Sequence, residues 1–255
     1  MPLLLLLLAL AAAGVSAAAQ QLAPTWTLRA AFLATNPVQA RIDPQTGAIS
    51  GPAADLAREL GRRLGVQVSL LPVPDAATVI ARVTAKQADI GFLAYEAERA
   101  SQVEFSEPYL LMGNGYLVRA DSNIQRSADV DRAGVTVGAV KGQSQEIFVS
   151  ANLKNAKVRL FPVTPPHDEI VRLLVSGELD AFASNRQRAG DTAATSPRVR
   201  VLADNFLRIG QAIVLPKGDT ARLKEINAFV MDVRRSGFVQ DSITRAKLTG
   251  MEVAQ

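Results

Sequence analysis

The chain has 255 residues, of which 48% are hydrophobic and 20% charged, which is typical of a globular protein long enough for two lobes. The net charge of +4 comes from 28 basic and 24 acidic residues without a basic stripe, which argues against nucleic-acid binding. There is no cysteine, so disulfides, thiolate metal ligands, thiol nucleophiles and a lipid-modified cysteine are all excluded.

Residues 1–19 are predicted to be a secretory signal peptide and not part of the fold. The apolar run from Pro2 to Ala13 is too short to span a bilayer, and the small residues after it fit an A-x-A cleavage site. We expect the mature chain to begin between Ala18 and Gln21. The mature protein is then expected to be soluble outside the cytoplasm, without a lipid anchor.

Short β-branched runs alternate with helical segments, which predicts an α/β protein with mainly parallel sheets. In the first part of the chain, strands are predicted at 25–33, 66–73 and 89–94, and helices at 52–64 and 76–86. The pattern starts again after residues 113–115. Strands are then predicted at 135–140, 158–163, 181–183 and 199–202, and helices at 144–153, 167–175 and 221–235.

Two extended segments, 115–119 and 211–215, flank the middle block of elements. The simplest topology is a discontinuous first lobe (22–112 plus 210–255) and an inserted second lobe (117–205), joined by two hinge strands. Because α/β sheets place their binding crevices at the strand ends, a ligand is expected between the lobes.

The order of these elements resembles that of the bacterial extracellular solute-binding proteins of family 3, the periplasmic receptors of polar amino-acid ABC importers. The matching stretches are ISGPAADLARELGRRLG, ADIGFLAYEAERASQVEFSEPYL, VTVGAVKGQSQEIF, SGELDAFASNRQ and LPKGDTARLKEINAFVMDVRRSGF. The resemblance implies the two-lobed periplasmic-binding-protein fold, with two mixed, mainly parallel sheets flanked by helices. It also implies a periplasmic monomer without a cofactor that delivers a small ligand to a permease in the inner membrane.

Arg99 is the leading candidate for a ligand-binding residue. In proteins that this chain resembles, an arginine at this position binds the ligand's α-carboxylate. A guanidinium suits that role because its planar fork matches a carboxylate in two charge-assisted hydrogen bonds. The alternative is that Arg99 pairs with Glu96, Glu98 or Glu104 on a wet surface.

The stretch KGQSQ is the candidate contribution of the second lobe. Gly142 would let the backbone approach a ligand closely, and Gln143, Ser144 and Gln145 fall in the first turn of a predicted helix, where free amides favour an anion. The alternative is an ordinary capped helix. A carboxylate held between Arg99 and these amides would stabilise the closed state more than the open one.

Three positions depart from the pattern that the resemblance implies. Asn185 stands where amino-acid-binding members carry an aspartate for the ligand's ammonium group. Ala94 replaces a threonine or serine, with Phe92 just ahead of it, and the loop with Asn36 and Gln39 lacks an aromatic residue. A carboxylate without an amine, or a small acid with an amide, therefore fits these residues as well as an amino acid does.

Other polar residues are expected to contribute less to ligand binding. Arg186 and Arg188 are predicted to lie on the surface, although a dicarboxylate would become attractive if either one faced the crevice. His167, the single histidine, is predicted to start a helix at the surface, and with no cysteine the chain offers no ordinary transition-metal site. Tyr109 lies near enough to the predicted hinge to reach the crevice.

Three functions are considered, and a transport receptor leads. The first alternative is a periplasmic cyclohexadienyl-type dehydratase on the same fold, which would need a carboxyl group with a raised pKa where this chain has Asn185. The second is a freestanding sensory protein whose closed form engages a signalling partner. Loss of prephenate or arogenate would identify the enzyme, and capture of a receptor in place of a permease would identify the sensor.

Overall fold

A computed structural model describes residues 21–255, so the predicted signal peptide at residues 1–19 lies outside the described residues. The strands are β1 (Thr27–Leu33), β2 (Arg41–Ile42), β3 (Ile49–Ser50), β4 (Gln67–Val73), β5 (Ile90–Ala94), β6 (Val103–Arg119), β7 (Thr136–Val140), β8 (Lys157–Phe161), β9 (Ala181–Asn185), β10 (Val199–Val201), β11 (Leu207–Pro216) and β12 (Met251–Val253). The helices are α1 (Pro52–Leu64), α2 (Ala76–Thr84), α3 (Ala97–Ala100), α4 (Ser144–Asn152), α5 (His167–Val175), α6 (Arg186–Ala194), α7 (Thr220–Arg235) and α8 (Phe238–Arg245), with a 3-10 turn at Ser127–Val130.

The main sheet has the strand order β4-β1-β5-β11-β6-β9-β7-β8, with β10 and β12 also paired to β6. At one end, β4, β1 and β5 are parallel, and at the other end β8, β7 and β9 are parallel. Between these groups, β11 and β6 run antiparallel to each other and to their outer neighbours. The α/β fold with a mixed sheet flanked by helices is therefore confirmed, although antiparallel strand pairs slightly outnumber parallel ones in the main sheet.

The two predicted sheets are joined into one because β6 continues for 17 residues without a break. The sequence pattern predicted only its last part, 115–119, as a hinge strand. The first half of β6 pairs with β11, and its second half pairs with β9 and β10. One continuous strand thus carries the chain from the first half of the molecule to the second.

Buried apolar side chains form separate clusters on the two sides of this crossing. Two clusters draw on residues 22–112 and 209–243, and two others draw on residues 116–202. On this basis we propose the division predicted from the sequence, and we call 22–112 plus 210–255 lobe 1 and 117–205 lobe 2.

Helix α1 shows how local sequence sets these elements. It begins with Pro52 at its first position, where the missing N–H costs nothing, and it ends at Gly65 in the left-handed conformation (φ 69°). Leu56 and Leu60 face the lobe 1 core, as the periodicity predicts. Within residues 21–255, no helix has both the length and the apolar character needed to cross a membrane.

Helix α6 was not predicted from the sequence. Its residues, RQRAGDTAA, include a glycine and lack a continuous apolar stripe, so periodicity gives no signal. It forms because Asn185 caps its first turn and because part of one face, including Ala189, is buried against lobe 2.

Two glycine substitutions test the packing of lobe 2. A β-carbon at Gly138 in β7 would lie 2.7 Å from side-chain carbons of both Leu179 and Phe182, so Gly138→Ala is expected to lower the free energy of unfolding by about 1–3 kcal/mol. A β-carbon at Gly190 in α6 meets nothing within 4 Å, so Gly190→Ala is expected to raise it by about 0.5–1 kcal/mol. Urea unfolding of both variants measures the difference, and equal stability of the two would contradict this packing.

Candidate functional site

An open cleft of about 610 Å³ lies between the two lobes, where strands end. Lobe 1 lines it with the loop after β1 and with β2, and lobe 2 lines it with residues that follow β8 and β9. The polar and charged residues of its lining are Thr35, Arg41, Asp43, Ser50, Thr164, His167, Arg188 and Asp191. This is the place between the lobes where the topology predicts a ligand.

Arg99 crosses from one lobe to the other. It lies in the single-turn helix α3 after β5, and its side chain is buried, with 7% of the residue exposed. One terminal nitrogen donates to the Ala94 carbonyl at 3.0 Å, and the other donates to the Gly142 carbonyl of lobe 2 at 2.9 Å. The predicted Arg99 and Gly142 positions are thus in direct contact, and Ala94 contributes through its backbone.

The Arg99 guanidinium has no carboxylate partner among residues 21–255. Burial lowers its pKa, and the charges of Glu96 and Glu98 only partly oppose that shift. The surface ion pair considered as an alternative is therefore not what the structure shows. A buried cation without a counter-charge is costly, and three of its five N–H donors remain for another acceptor.

Gly142 is needed at its position for its backbone conformation. Its φ is 75°, a left-handed value that favours glycine, and a β-carbon there would meet nothing within 4 Å. The positive φ is therefore by itself a reason for glycine at this position. Its carbonyl accepts from Arg99, and its N–H donates to the Glu146 carboxylate at 3.1 Å, so one amide of the expected anion site already has an acceptor.

The three residues after Gly142 have different partners. Gln143 donates its side-chain amide to Thr164 Oγ1 at 3.2 Å, which joins it to the cleft wall. Gln145 is buried and donates to the Asn114 side-chain carbonyl at 2.5 Å, so it ties α4 to the crossing strand β6 and does not face the cleft. Ser144 is also buried, with 5% of the residue exposed.

Asn185 caps helix α6. It is the last residue of β9, and its side-chain carbonyl accepts the Arg188 N–H at 2.8 Å. Asn185, which stands where the resemblance implies an aspartate, is thus three residues from the cleft residue Arg188. Its side-chain oxygen is already used to cap the helix. It supplies no negative charge for a ligand's ammonium group.

Gln39 lies in the core of lobe 1 and not in the cleft, which corrects the sequence prediction. Its side chain is completely buried; it accepts the Leu33 N–H at 2.8 Å and donates to the Phe92 carbonyl and to Gln211 Oε1. Both amide hydrogens are therefore in use. Gln39 holds the loop after β1 against strands β5 and β11.

Phe92 is also a core residue, because its ring points into lobe 1 and packs edge-on against Tyr109 with centroids 5.9 Å apart. Tyr109 is buried with it and does not reach the crevice; burial raises the pKa of its hydroxyl. Asn36 is half-buried and accepts the Val38 N–H at 3.1 Å in a local turn. Asn36 shapes the loop, and its neighbours line the cleft.

Arg188 lines the cleft, whereas Arg186 turns toward the crossing between the lobes. Arg186 donates to the carbonyls of residues 202–204. Arg188 donates one terminal nitrogen to the Pro165 carbonyl at 2.8 Å, and its buried Nε has no partner within residues 21–255. Burial lowers the pKa of Arg188. The expectation that both arginines lie on the surface is therefore wrong for Arg188.

His167 starts α5 as predicted, but it lines the cleft and is half-buried. Its Nδ1 lies 2.7 Å from Thr192 Oγ1, and Thr192 gives its own hydrogen to the Arg188 carbonyl. Nδ1 must therefore be the donor to Thr192. Burial, and then the charge of Arg188, lower the pKa of His167, which favours a neutral ring.

Sequence reasoning did not identify the ion pair between Arg41 and Asp191, which joins the lobes at 3.0 Å. Both side chains are partly exposed, so the pair adds little to stability. No pattern within either segment predicts this pair, because the two residues are 150 positions apart. Arg188, by contrast, comes one helical turn after Asn185 at the end of β9. That short spacing from a strand end was the available signal that Arg188 lies at the cleft.

Comparisons with known proteins agree with this architecture. The family model of the bacterial extracellular solute-binding proteins, family 3, matches residues 28–245. The L-cystine-binding protein TcyJ of Escherichia coli is 27% identical over 76% of this chain and 73% of its own length, and the cyclohexadienyl dehydratase of Pseudomonas aeruginosa is 28% identical over 77% and 74%. The crystal structure of a mutant of ArgBP from T. maritima is 26% identical with a TM-score of 0.74, covering 90% of this chain and 99% of that one. The match of the family model, the fold and the order of the elements show that this chain belongs to the bacterial extracellular solute-binding proteins, family 3.

Proposed function

We propose that this protein is the periplasmic receptor of an ABC importer and that it binds a small polar carboxylate, an amino acid or a related organic acid, between its lobes. It delivers the bound ligand to a permease in the inner membrane. Support comes from the family and from relatives that are named for binding L-cystine and other amino acids. The observation that carries the proposal is the buried, uncompensated guanidinium of Arg99 at the junction of the lobes.

The position of Arg99 supports a link between ligand binding and lobe closure. Arg99 is anchored in lobe 1 through the Ala94 carbonyl and reaches lobe 2 through the Gly142 carbonyl. An acid group that takes its remaining donors would neutralise the buried charge in the closed form. In an open form water would solvate the guanidinium, so the gain from the acid would be smaller, and this difference favours closure.

The described lining of the cleft offers no carboxyl group free to act as the acid of dehydratase chemistry, although one relative is named as a cyclohexadienyl dehydratase. A general acid is a carboxyl group held neutral by its surroundings. Of the acidic residues that line the cleft, Asp191 is paired with Arg41, and hydrogen bonds from the Thr46 and Gln45 amides lower the pKa of Asp43. Asn185 cannot donate an acidic proton. We therefore propose binding without catalysis.

Replacing Arg99 is expected to weaken ligand binding strongly. Arg99→Ala should cost about 2–4 kcal/mol, or about 30- to 900-fold in affinity, because the ligand's acid group would lose its charged hydrogen-bond partner. A thermal-shift screen of amino acids and of matched acids without the amine selects the ligand, and calorimetry measures its affinity. Arg235→Ala, which removes an exposed arginine of lobe 1, is the matched control. Unchanged affinity of the Arg99 variant would remove this residue from the site.

The absence of catalysis is tested directly with the substrates of the enzymatic alternative. When the protein is incubated with prephenate or with arogenate, we expect each compound to be lost only at its uncatalysed rate, because the two carboxylates in the described lining of the cleft, Asp43 and Asp191, are already engaged by other groups. Product formation is followed by ultraviolet absorbance and by chromatography. Turnover that is lost when the cleft residue Asp191 or Asp43 is changed to the amide would instead identify an enzyme.

A further inference from the structure

We propose that Arg188 binds a second acid group of the ligand, so that the solute recognised by this cleft is a small dicarboxylate. This inference deepens the proposed function and rests on it. It assigns the first acid group to Arg99 and makes Arg188 a residue that determines specificity.

The first step is that most N–H groups of the Arg188 guanidinium have no hydrogen-bond acceptor within residues 21–255. Its side chain lines the cleft, and its partner among residues 21–255 is one backbone carbonyl, that of Pro165. The Nε atom is buried without an acceptor, and no carboxylate of the described chain lies within 4.0 Å of the guanidinium. A partly buried guanidinium in this state is stabilised by an anion that can accept two of its N–H groups.

The second step is that the nearby acids are already engaged. Asp191, one turn along α6, is bound by Arg41 at 3.0 Å and by the Gln187 side chain at 2.8 Å. Asp43 accepts two backbone N–H groups within its own turn. Arg188 in the cleft lining and Arg99 at the junction of the lobes are therefore two guanidiniums that make no ion pair within residues 21–255, and the described lining residues supply no free carboxylate.

The third step is that the two cations are connected along one wall. Arg99 donates to the carbonyl of Gly142, and the next residue, Gln143, donates its side chain to Thr164. Thr164 precedes Pro165, whose carbonyl accepts from Arg188. Three hydrogen bonds thus link the two guanidiniums through lobe 2, and the proposed ligand must be long enough to span from one to the other. A monoacid would neutralise only one of them.

The fourth step concerns the amine. The side-chain oxygen of Asn185 accepts the backbone N–H of Arg188 at 2.8 Å, and the Asn185 side chain carries no negative charge. An ammonium group next to Arg188 would also meet a like charge. The site therefore does not require an amine, and the recognition elements are the two acid groups.

The test compares diacids with monoacids on the wild-type protein and on three variants. The diacid probes are succinate, glutarate, adipate and L-glutamate, and the monoacid probes are butyrate and L-glutamine; calorimetry measures each affinity. Arg188→Gln removes the charge, Arg188→Lys keeps the charge but loses the planar fork, and Arg198→Gln removes an exposed arginine of lobe 2 that lies outside the cleft lining.

We expect at least one diacid to bind at least tenfold more tightly than its monoacid counterpart. Arg188→Gln should abolish that preference, Arg188→Lys should reduce it, and Arg198→Gln should preserve it. The melting temperature of each variant shows whether it is folded. If Arg188→Gln does not fold, Arg188→Lys still decides the test.

Two results would overturn the inference. If monoacids bind as tightly as diacids, or if folded Arg188 variants keep the diacid preference, Arg188 does not bind a second acid group. The proposed function as a receptor for a carboxylate would still stand in that case. If no acid of the panel binds, both the inference and the proposed carboxylate receptor fail.

Discussion

The structure depends on one buried cation at the junction of its two lobes. The Arg99 guanidinium is fixed by the carbonyl of Ala94 on its own lobe and by the carbonyl of Gly142 on the other. Two neutral carbonyl oxygens orient a guanidinium, but they do not neutralise it. The two hydrogen bonds join the lobes here, and under the proposed function the residual charge is what an acid group would neutralise in the closed form.

The end of β9 decides what else the cleft can recognise. An amide at Asn185 satisfies the first turn of α6 as well as a carboxylate would, but it adds no negative charge beside the ligand. The following turn presents Arg188, and the closing pair of Arg41 with Asp191 uses the acid that could have balanced it. The described lining of the cleft therefore offers the Arg188 guanidinium to an anion and no free carboxylate beside it.

The sequence predicted the features that have a local signal. Helix α1 has the predicted bounds because proline, glycine and apolar periodicity all agree. Arg99 was predicted as a site residue because a strand end and a resemblance both point to it, and the structure buries it at the junction of the lobes. Phe92 was misplaced because its position in a strand does not show which side of the sheet it faces, and Gln39 was misplaced because polarity does not show whether a loop side chain turns into the core. Arg188 was misplaced because α6 has no apolar stripe to reveal its orientation.

The central claim is that an acid group on Arg99 drives the lobes together. The chain lacks cysteine, so Lys154→Cys in lobe 2 and Lys224→Cys in lobe 1, both at exposed positions, allow two dyes to be attached specifically. Energy transfer between them, with the tightest-binding acid of the panel at saturation, reports the closed fraction. We predict a ligand-induced rise in transfer that is lost in Arg99→Ala even when the ligand is saturating. An equal rise in that variant would show that closure does not depend on Arg99.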